Sequence, residues 1–181
     1  MKWEEIFNNF TNHSYSHEKE KTIRGFWLCT ELDLDLENLP IELTFQPCLY
    51  YESNGKKWEE DYCLQKIHVR DIAGTTYKEY SGGTWLDAYC QLHRADYYIE
   101  KNLATYNKYF YQLKKKQYSF NWYIRLTKTK DGYYYIDGNG NHRVTMYKLL
   151  YFANEYHRKM RSYDVYNPES FWLYAYVRNE L

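Results

Sequence analysis

The spacing of hydrophobic positions changes along the chain, from a helical period at the start to strict alternation soon after. Four apolar residues near the start recur at helical spacing: Trp3, Ile6, Phe7 and Phe10. They predict an amphipathic helix. Residues 24–45 are strand-like, and between Leu32 and Glu37 leucines alternate with acids, which would place the acids on one face of an extended segment. We therefore expect a helix-and-strand extension over residues 1–65.

The middle of the chain has one short strand pattern and one long helical pattern. Residues 66–72 predict a strand, and the glycines that follow indicate loops: Gly74, Gly82 and Gly83. Thr84 is a candidate N-cap, with Asp87 in the first turn, where an acid suits the helix dipole. A helical rhythm then continues from Trp85 to Leu113, as one long helix or as two.

The last third of the chain predicts a hairpin that leads into a helix. Residues 122–129 alternate apolar and basic, and the Asp131-Gly132 pair indicates a tight turn. Residues 133–137 then form an aromatic and β-branched strand. Apolar residues in 144–160 return to a helical period. Strands and helices in this order predict an α+β fold with a small mixed sheet.

Length and composition fit a single domain over residues 1–181, closed by one short strand and a turn at Pro168. No window approaches the roughly 18 apolar residues of a membrane span, and the first 21 residues are polar and acidic rather than a secretion signal. The four cysteines are scattered singly: Cys29, Cys48, Cys63 and Cys90. We therefore expect a cytoplasmic protein with reduced thiols and no membrane partner.

The formal net charge of zero conceals a division along the chain. Residues 1–60 carry 6 basic and 12 acidic side chains, whereas residues 114–161 carry 11 basic and 3 acidic ones. Such a basic block attracts phosphates or nucleic acid, although many basic faces are simply solvated. The 24 tyrosines could serve as core residues or as platforms on which bases stack.

The block surrounds the segment DGNGNHR, residues 137–143, which combines a glycine-rich turn with the start of a helix. Gly138 and Gly140 allow left-handed backbone and close approach to a ligand, and a helix N-terminus offers unpaired N–H groups to an anion. Arg143 suits phosphate oxygens, and Lys148 would add charge. An EF-hand loop that began at Asp137 would need glycine at its sixth position, where this chain has His142. A Walker loop does not fit either, because no Gly-Lys-Ser/Thr follows.

Over residues 122–156 the order strand, turn, Gly-Asn-His-Arg and helix resembles the ParB/sulfiredoxin-like superfamily. That resemblance implies a ParB-like core over about residues 66–166 with nucleotide phosphates bound at the turn. Asn141 stands where sulfiredoxins carry their reactive cysteine, which argues against sulfinic acid reduction. Asn141-His142 also replaces the Glu-Arg of partition proteins. The subgroup with the pattern Asp-Gly-x-His-Arg, which includes ParB-like nucleases, resembles this segment more closely. This chain has two more residues between Asp137 and His142 than that pattern has.

The resulting hypothesis is a nucleotide-phosphate-binding protein, with ATP or CTP and Mg²⁺ as cofactors. Its phosphate-binding residues are Gly138, Gly140, Asn141, His142 and Arg143. If the protein is an enzyme, His142 and Asp137 would serve phosphoryl transfer or hydrolysis. Further carboxylates for a metal would have to come from elsewhere in the chain: Asp33, Asp35 and Glu37. A solvated edge face is the simpler interpretation of those three acids.

Three alternatives stay open for the function and the turn. The protein could be a non-catalytic module that binds nucleic acid through residues 114–161, or a protein partner. It could be a mobile-element protein that regulates a host system by contact alone. The segment 137–143 could also be a tight polar turn in which His142 caps the helix and Arg143 is exposed.

Overall fold

The computed structural model describes residues 32–34, 46–53, 59–92 and 123–180. Within these ranges the chain forms three strands, a short helix, two strands, a long helix and a last strand, a mixed α+β fold. The strands are β1 (Leu49–Tyr50), β2 (Cys63–His68), β3 (Ile72–Thr75), β4 (Ile124–Lys128), β5 (Tyr134–Ile136) and β6 (Trp172–Asn179), and the helices are α1 (Trp85–Cys90) and α2 (Asn141–Arg161).

The strands of the described ranges form one mixed sheet in the order β1-β3-β5-β4-β6-β2. The pairs β1–β3, β3–β5 and β4–β6 are parallel, whereas β4–β5 and β2–β6 are antiparallel. The β4–β5 hairpin turns at Gly132, which has a φ of 87° that a side chain would disfavour. The predicted mixed sheet and the hairpin at Asp131-Gly132 are thereby confirmed.

Helix α2 is the central element of the core. All seven residues from Val144 to Leu150 are buried, so the helix is covered on every side over two turns. It packs on one flank against α1, where Trp85 and Tyr89 are fully buried. The prediction of a helix over residues 144–160 is confirmed, and the helix begins three residues earlier than its apolar period indicates.

Helix α1 begins as the sequence predicts and ends much sooner. The Thr84 hydroxyl accepts a hydrogen bond from the Asp87 amide at 3.1 Å, and the Asp87 carboxylate accepts one from the Thr84 amide at 2.7 Å, a reciprocal capping box. The helix ends at Cys90, with Gln91 as its C-cap. One unbroken helix from Trp85 to Leu113 is therefore wrong, whereas the two-helix alternative depends on residues 93–122, which lie outside the described ranges.

The predicted strand over residues 66–72 is two strands, β2 and β3, separated by a 3₁₀ turn at Val69–Asp71. Gly74, predicted to lie in a loop, is inside β3 instead. A Cβ atom on Gly74 would lie 1.9 Å from the Leu49 carbonyl oxygen, so this glycine permits close contact with β1. Gly82 and Gly83 do lie in the loop before α1, as expected.

The predicted extended segment beginning at Leu32 is a turn where the structure describes it. Asp33 has a φ of 52°, and the Leu32 carbonyl oxygen lies 2.9 Å from His157 Nε2. The leucines on both sides of Asp33 are buried, so alternation of leucine and acid at this point does not produce two faces of a strand. Asp35, Glu37 and the predicted N-terminal helix lie outside the described residues.

The chain after α2 forms more structure than the short strand expected there. A 3₁₀ turn, Pro168–Phe171, confirms the predicted turn and leads into β6, which has eight residues. Strand β6 lies between β4 and β2 in the sheet, outside the 66–166 range assigned to the ParB-like core. Neither helix of the described ranges has the length and apolar character of a membrane span.

Candidate functional site

The turn between β5 and α2 is held by β4 beyond the end of the regular pairing. The Asp137 amide donates to the Arg125 carbonyl at 2.8 Å, and the Arg125 amide donates to the Asn139 carbonyl at 3.0 Å. These two bonds extend the hairpin across the first half of DGNGNHR. The backbone of the turn is therefore fixed in place before α2 begins.

Both glycines of the turn have positive φ, 113° at Gly138 and 133° at Gly140. A Cβ on Gly138 would lie 2.6 Å from Arg125 Nη2, and one on Gly140 would lie 3.0 Å from a methyl carbon of Ile124. The positive φ disfavours a side chain at Gly138, and a Cβ there would also require the Arg125 guanidinium to move. Arg125 thus lies with its guanidinium against the Gly138 backbone.

The N-terminus of α2 has no side-chain cap, because Gly140 is the N-cap residue, and no acid occupies its first turn. The first helical residue, Asn141, is buried, and its side-chain oxygen accepts a 2.7 Å hydrogen bond from the Thr75 hydroxyl. Thr75 ends β3, which runs parallel to β5. The start of α2 is thus anchored at the carboxyl ends of two parallel strands, where α/β sheets commonly bind ligands.

Asp137 is completely buried beneath the turn and is the centre of a polar network. Its carboxylate accepts hydrogen bonds from Thr127 at 2.6 Å, and from Tyr62 and Thr76 at 3.3 Å each. Arg178 Nη2 lies 3.6 Å from the same carboxylate. Burial first and the Asp137 carboxylate second raise the pKa of Tyr62 to about 12, so Tyr62 remains a hydrogen-bond donor at neutral pH.

Arg178 joins this network to the segment that follows β1. Its Nη2 donates to the Ser53 hydroxyl at 2.8 Å as well as pairing with Asp137. Three arginines, Arg125, Arg143 and Arg178, thus belong to the turn or its immediate support, and Arg178 is paired with the buried Asp137. Their positive charges favour an anion at the turn.

His142 and Arg143 are both half-buried in the first turn of α2. The His142 ring makes an edge contact with Tyr80 at 6.2 Å between centroids. Lys148, expected to add charge to the turn, does not do so: it is buried further along α2, and its Nζ donates to the Arg70 carbonyl at 2.9 Å. The sequence pattern gave no sign that this lysine faces the interior.

Asp33 does not approach the turn. It pairs with Arg161, at the far end of α2, a helix of 21 residues that is about 31 Å long at 1.5 Å per residue. Arg161 holds the pKa of Asp33 below its usual value. Within the described ranges, no group of three His, Cys, Asp or Glu side chains is close enough together to hold a metal ion.

No family model matches this sequence, and neither a curated protein nor a solved structure matches it. The comparisons thus neither support nor oppose the ParB/sulfiredoxin-like resemblance. The function must be inferred from the geometry of the turn and its neighbours.

Most side chains that support the turn were not predicted from the sequence: Tyr62, Thr75, Thr76, Thr127 and Arg178. They come from four separate segments and meet only through the sheet. Paired threonines at the end of a strand are a usable signal, because polar residues at the carboxyl ends of parallel strands often face ligands. Tyr62 and Arg178 have no comparable local pattern.

Proposed function

We propose that the segment 137–143 and the first turn of α2 bind the phosphates of a nucleotide. The observation that carries this proposal is the uncapped N-terminus of α2, entered through two glycines with positive φ. A helix N-terminus presents backbone N–H groups to an anion, and its dipole adds positive potential. A phosphate meets both requirements.

The residues around the turn supply further charge for such a ligand. Arg143 is in the first turn of the helix, and its fork of N–H donors can hold two phosphate oxygens together. Arg125 lies against Gly138 on the adjoining strand. Gly138 and Gly140 allow the ligand to reach the main chain itself. This arrangement agrees with the ParB-like resemblance, in which the same turn takes nucleotide phosphates.

His142 and Asp137 have different suitability for catalysis. His142 is half-buried at the start of the helix and can donate a hydrogen bond to a phosphate or carry a proton. Asp137 is completely buried and already accepts hydrogen bonds from three hydroxyl groups, which suits an anchor of the turn better than a base that meets substrate. Any Mg²⁺ would accordingly be held mainly by the phosphates of ATP or CTP.

Nucleic-acid binding through residues 114–161 is the less favoured function. Among the described residues of that block, Lys148 is buried, Arg158 pairs with Glu155, and Arg161 pairs with Asp33. These positive charges are therefore spread and partly neutralised rather than gathered on one face. Nucleic-acid binding would instead show a steep decline with salt and little dependence on Arg143.

Calorimetric titration with ATP, ADP, CTP and GTP, each with and without Mg²⁺, tests the proposal. We expect one nucleotide to bind at a single stoichiometric site, and Arg143→Ala to weaken that binding about tenfold, the usual value of one charge-assisted contact. Arg158→Ala is the matched control, because it removes the same charge from the opposite end of α2. Its affinity should stay near that of the wild type.

Two results of the titration would contradict the proposal. Absence of binding by all four nucleotides, or equal affinity in wild type and Arg143→Ala, would exclude the turn as the site. A single-stranded oligonucleotide titrated at two salt concentrations completes the experiment. Strong binding that falls steeply with salt and is similar in the wild type and both arginine variants would favour the nucleic-acid function.

A further inference from the structure

A cavity of about 580 Å³ lies against α2, beside the 3₁₀ turn Val69–Asp71 and away from the glycine turn. Its wall combines aromatic rings with a few charged groups, which is the usual composition of a small-molecule site. The residues that define its character are Trp85, Tyr133, Tyr134, Arg70, Asp71 and Lys148. Tyr133 is more than half exposed, so the rim of the cavity is open to solvent.

Lys148 is the unusual member of this wall, because a lysine is rarely buried without an acid beside it. It is 1% exposed, and its Nζ lies 5.2 Å from the centre of the Trp85 ring and 5.8 Å from that of Phe152. The amine donates to the Arg70 carbonyl at 2.9 Å. Within the described ranges no carboxylate forms an ion pair with it, so its environment favours a neutral amine over an ammonium ion.

The groups facing the amine determine how readily it loses its proton. Burial lowers the pKa of Lys148 to about 7, and only in part is this opposed by Asp71 on the 3₁₀ turn and Cys48 on the segment before β1. Arg70 is on the same turn as Asp71, and His68 ends the neighbouring strand β2. A substantial fraction of this lysine is therefore a free amine at neutral pH, whereas ordinary lysines are almost wholly protonated.

We propose that Lys148 is a nucleophile that forms a Schiff base with a small aldehyde or ketone bound in this cavity. The hydrogen bond to the Arg70 carbonyl uses an N–H of the amine, which leaves the nitrogen lone pair for attack on a carbonyl carbon. A C–N bond forms, the two N–H protons of the amine pass to the carbonyl oxygen, and the carbon–oxygen bond breaks as that oxygen leaves as water to give the imine. No electrons are gained or lost.

The other groups of the wall indicate the class of carbonyl compound. Tyr133 and Tyr134 offer aromatic surfaces to a planar, apolar body, and the buried Trp85 ring lies beside the amine. Asp71 lies in the same wall, with its carboxylate 3.5 Å from Arg70 Nε, and can relay to the carbonyl oxygen the protons that the amine gives up. An aromatic aldehyde therefore fits better than a sugar. This site and the glycine turn are separate, so neither proposal depends on the other.

Reductive trapping tests the role of Lys148 directly. The intact protein is incubated with benzaldehyde and cyanoborohydride at pH 7, and modified lysines are located by peptide mass spectrometry. We expect Lys148 to be labelled at least about tenfold faster than Lys130, which is exposed at the β4–β5 turn, because only the free amine reacts. The labelling rate at Lys148 should rise between pH 6 and 8 and then level off.

Lys148→Met removes the amine and keeps most of the side-chain volume, and Lys130→Met is the matched control. The first variant should lose the fast label and the second should keep it. The proposal is overturned if wild-type label distributes over exposed lysines while Lys148 stays unmodified, or if the Lys148 rate is still rising above pH 9. The distribution of label and the pH dependence of the Lys148 rate are both measured on the wild-type protein. The result therefore stands even if a variant folds poorly.

Discussion

Asp137 carries a charge at a position with no exposed surface, and its surroundings satisfy it with three hydroxyl donors and one arginine. Asp137→Asn keeps the shape and removes the charge that Arg178 faces. We expect a loss of about 3 kcal/mol in the free energy of unfolding, since breaking a buried ion pair leaves the partner charge uncompensated. Urea unfolding followed by circular dichroism measures this loss.

Asp131→Asn is the control for that experiment. Asp131 is exposed at the β4–β5 turn, and asparagine suits the same turn position. Its effect should stay within about 0.5 kcal/mol, as for most surface substitutions. Equal losses in the two variants would show that the buried network contributes nothing to stability beyond an ordinary surface acid.

Gly132 and Gly138 allow the free-energy cost of backbone conformation to be compared with the cost of crowding. Gly132 and Gly138 both have positive φ, but a Cβ on Gly132 meets nothing within 4 Å, whereas one on Gly138 meets the Arg125 guanidinium. Gly132→Ala should cost about 1 kcal/mol from the backbone conformation alone. Gly138→Ala should cost more and should also weaken nucleotide binding, because the added Cβ displaces the Arg125 guanidinium from its position against the turn.

Unfolding free energies and nucleotide titrations of the two alanine variants test this difference. The titrations must be compared at a temperature where both variants are fully folded. A variant at Gly138 that is as stable as the one at Gly132, and that binds nucleotide normally, would mean that Arg125 can move aside freely.

At the scale of the element, α1 depends on its cap, because six residues are too few for a helix to be stable alone. Thr84→Ala removes the hydroxyl that accepts a hydrogen bond from the Asp87 amide and donates one to the Asp87 carboxylate. We expect a loss of about 1 kcal/mol. Thr84→Ser keeps the hydroxyl and should be nearly neutral, so thermal unfolding of the two variants isolates the cap. Equal melting temperatures would contradict it.

The elements that sequence alone predicted are those with complete local signals. The hairpin has alternation before its turn pair at Asp131-Gly132 and aromatic, β-branched residues after it, and α2 has an apolar period over several turns. The start of α1 was predicted for the same reason, since Thr84 and Asp87 are three residues apart. Each of these features is set by neighbours in the chain.

What sequence did not predict depends on contacts between distant segments. Gly74 has the composition signal of a loop, yet close packing against β1 makes it a strand residue. Lys148 has the charge of a surface residue, yet it is buried against Trp85. The glycines of the candidate site were found from the motif, whereas Tyr62 and Arg178 reach Asp137 only because β2 and β6 are in the same sheet.

At the scale of the whole molecule, α2 connects two environments of opposite kind. Its first turn is part of the positively charged glycine turn, and its middle buries a lysine beside an aromatic cavity. The far end carries Arg158, Lys159 and Arg161, which complement the helix dipole. The charged residues of α2 are therefore divided among three separate places along this helix.

The buried amine of Lys148 makes the stability of the whole molecule depend on pH. The pKa of Lys148 is about 7 in the folded protein, against an ordinary value of 10.5. Between pH 7 and 10.5 the unfolded chain therefore binds a proton at this lysine and the folded protein does not. As far as Lys148 is concerned, the free energy of unfolding is therefore highest above about pH 10.5. It falls as the pH falls toward 7 and is constant below that. The slope is at most about 1.4 kcal/mol per pH unit.

Chemical unfolding of wild type and Lys148→Met at intervals from pH 6 to 9.5 measures this dependence. Titrating groups common to both proteins cancel in the difference between the two free energies of unfolding. The stability of the wild type relative to the variant should therefore rise steadily above pH 7 and be constant below it. Lys130→Met supplies the baseline for loss of a lysine in an exposed position. A difference that stays flat from pH 7 to 9.5 would mean that Lys148 remains charged in the folded protein, and that the cavity holds an ammonium ion instead of a nucleophile.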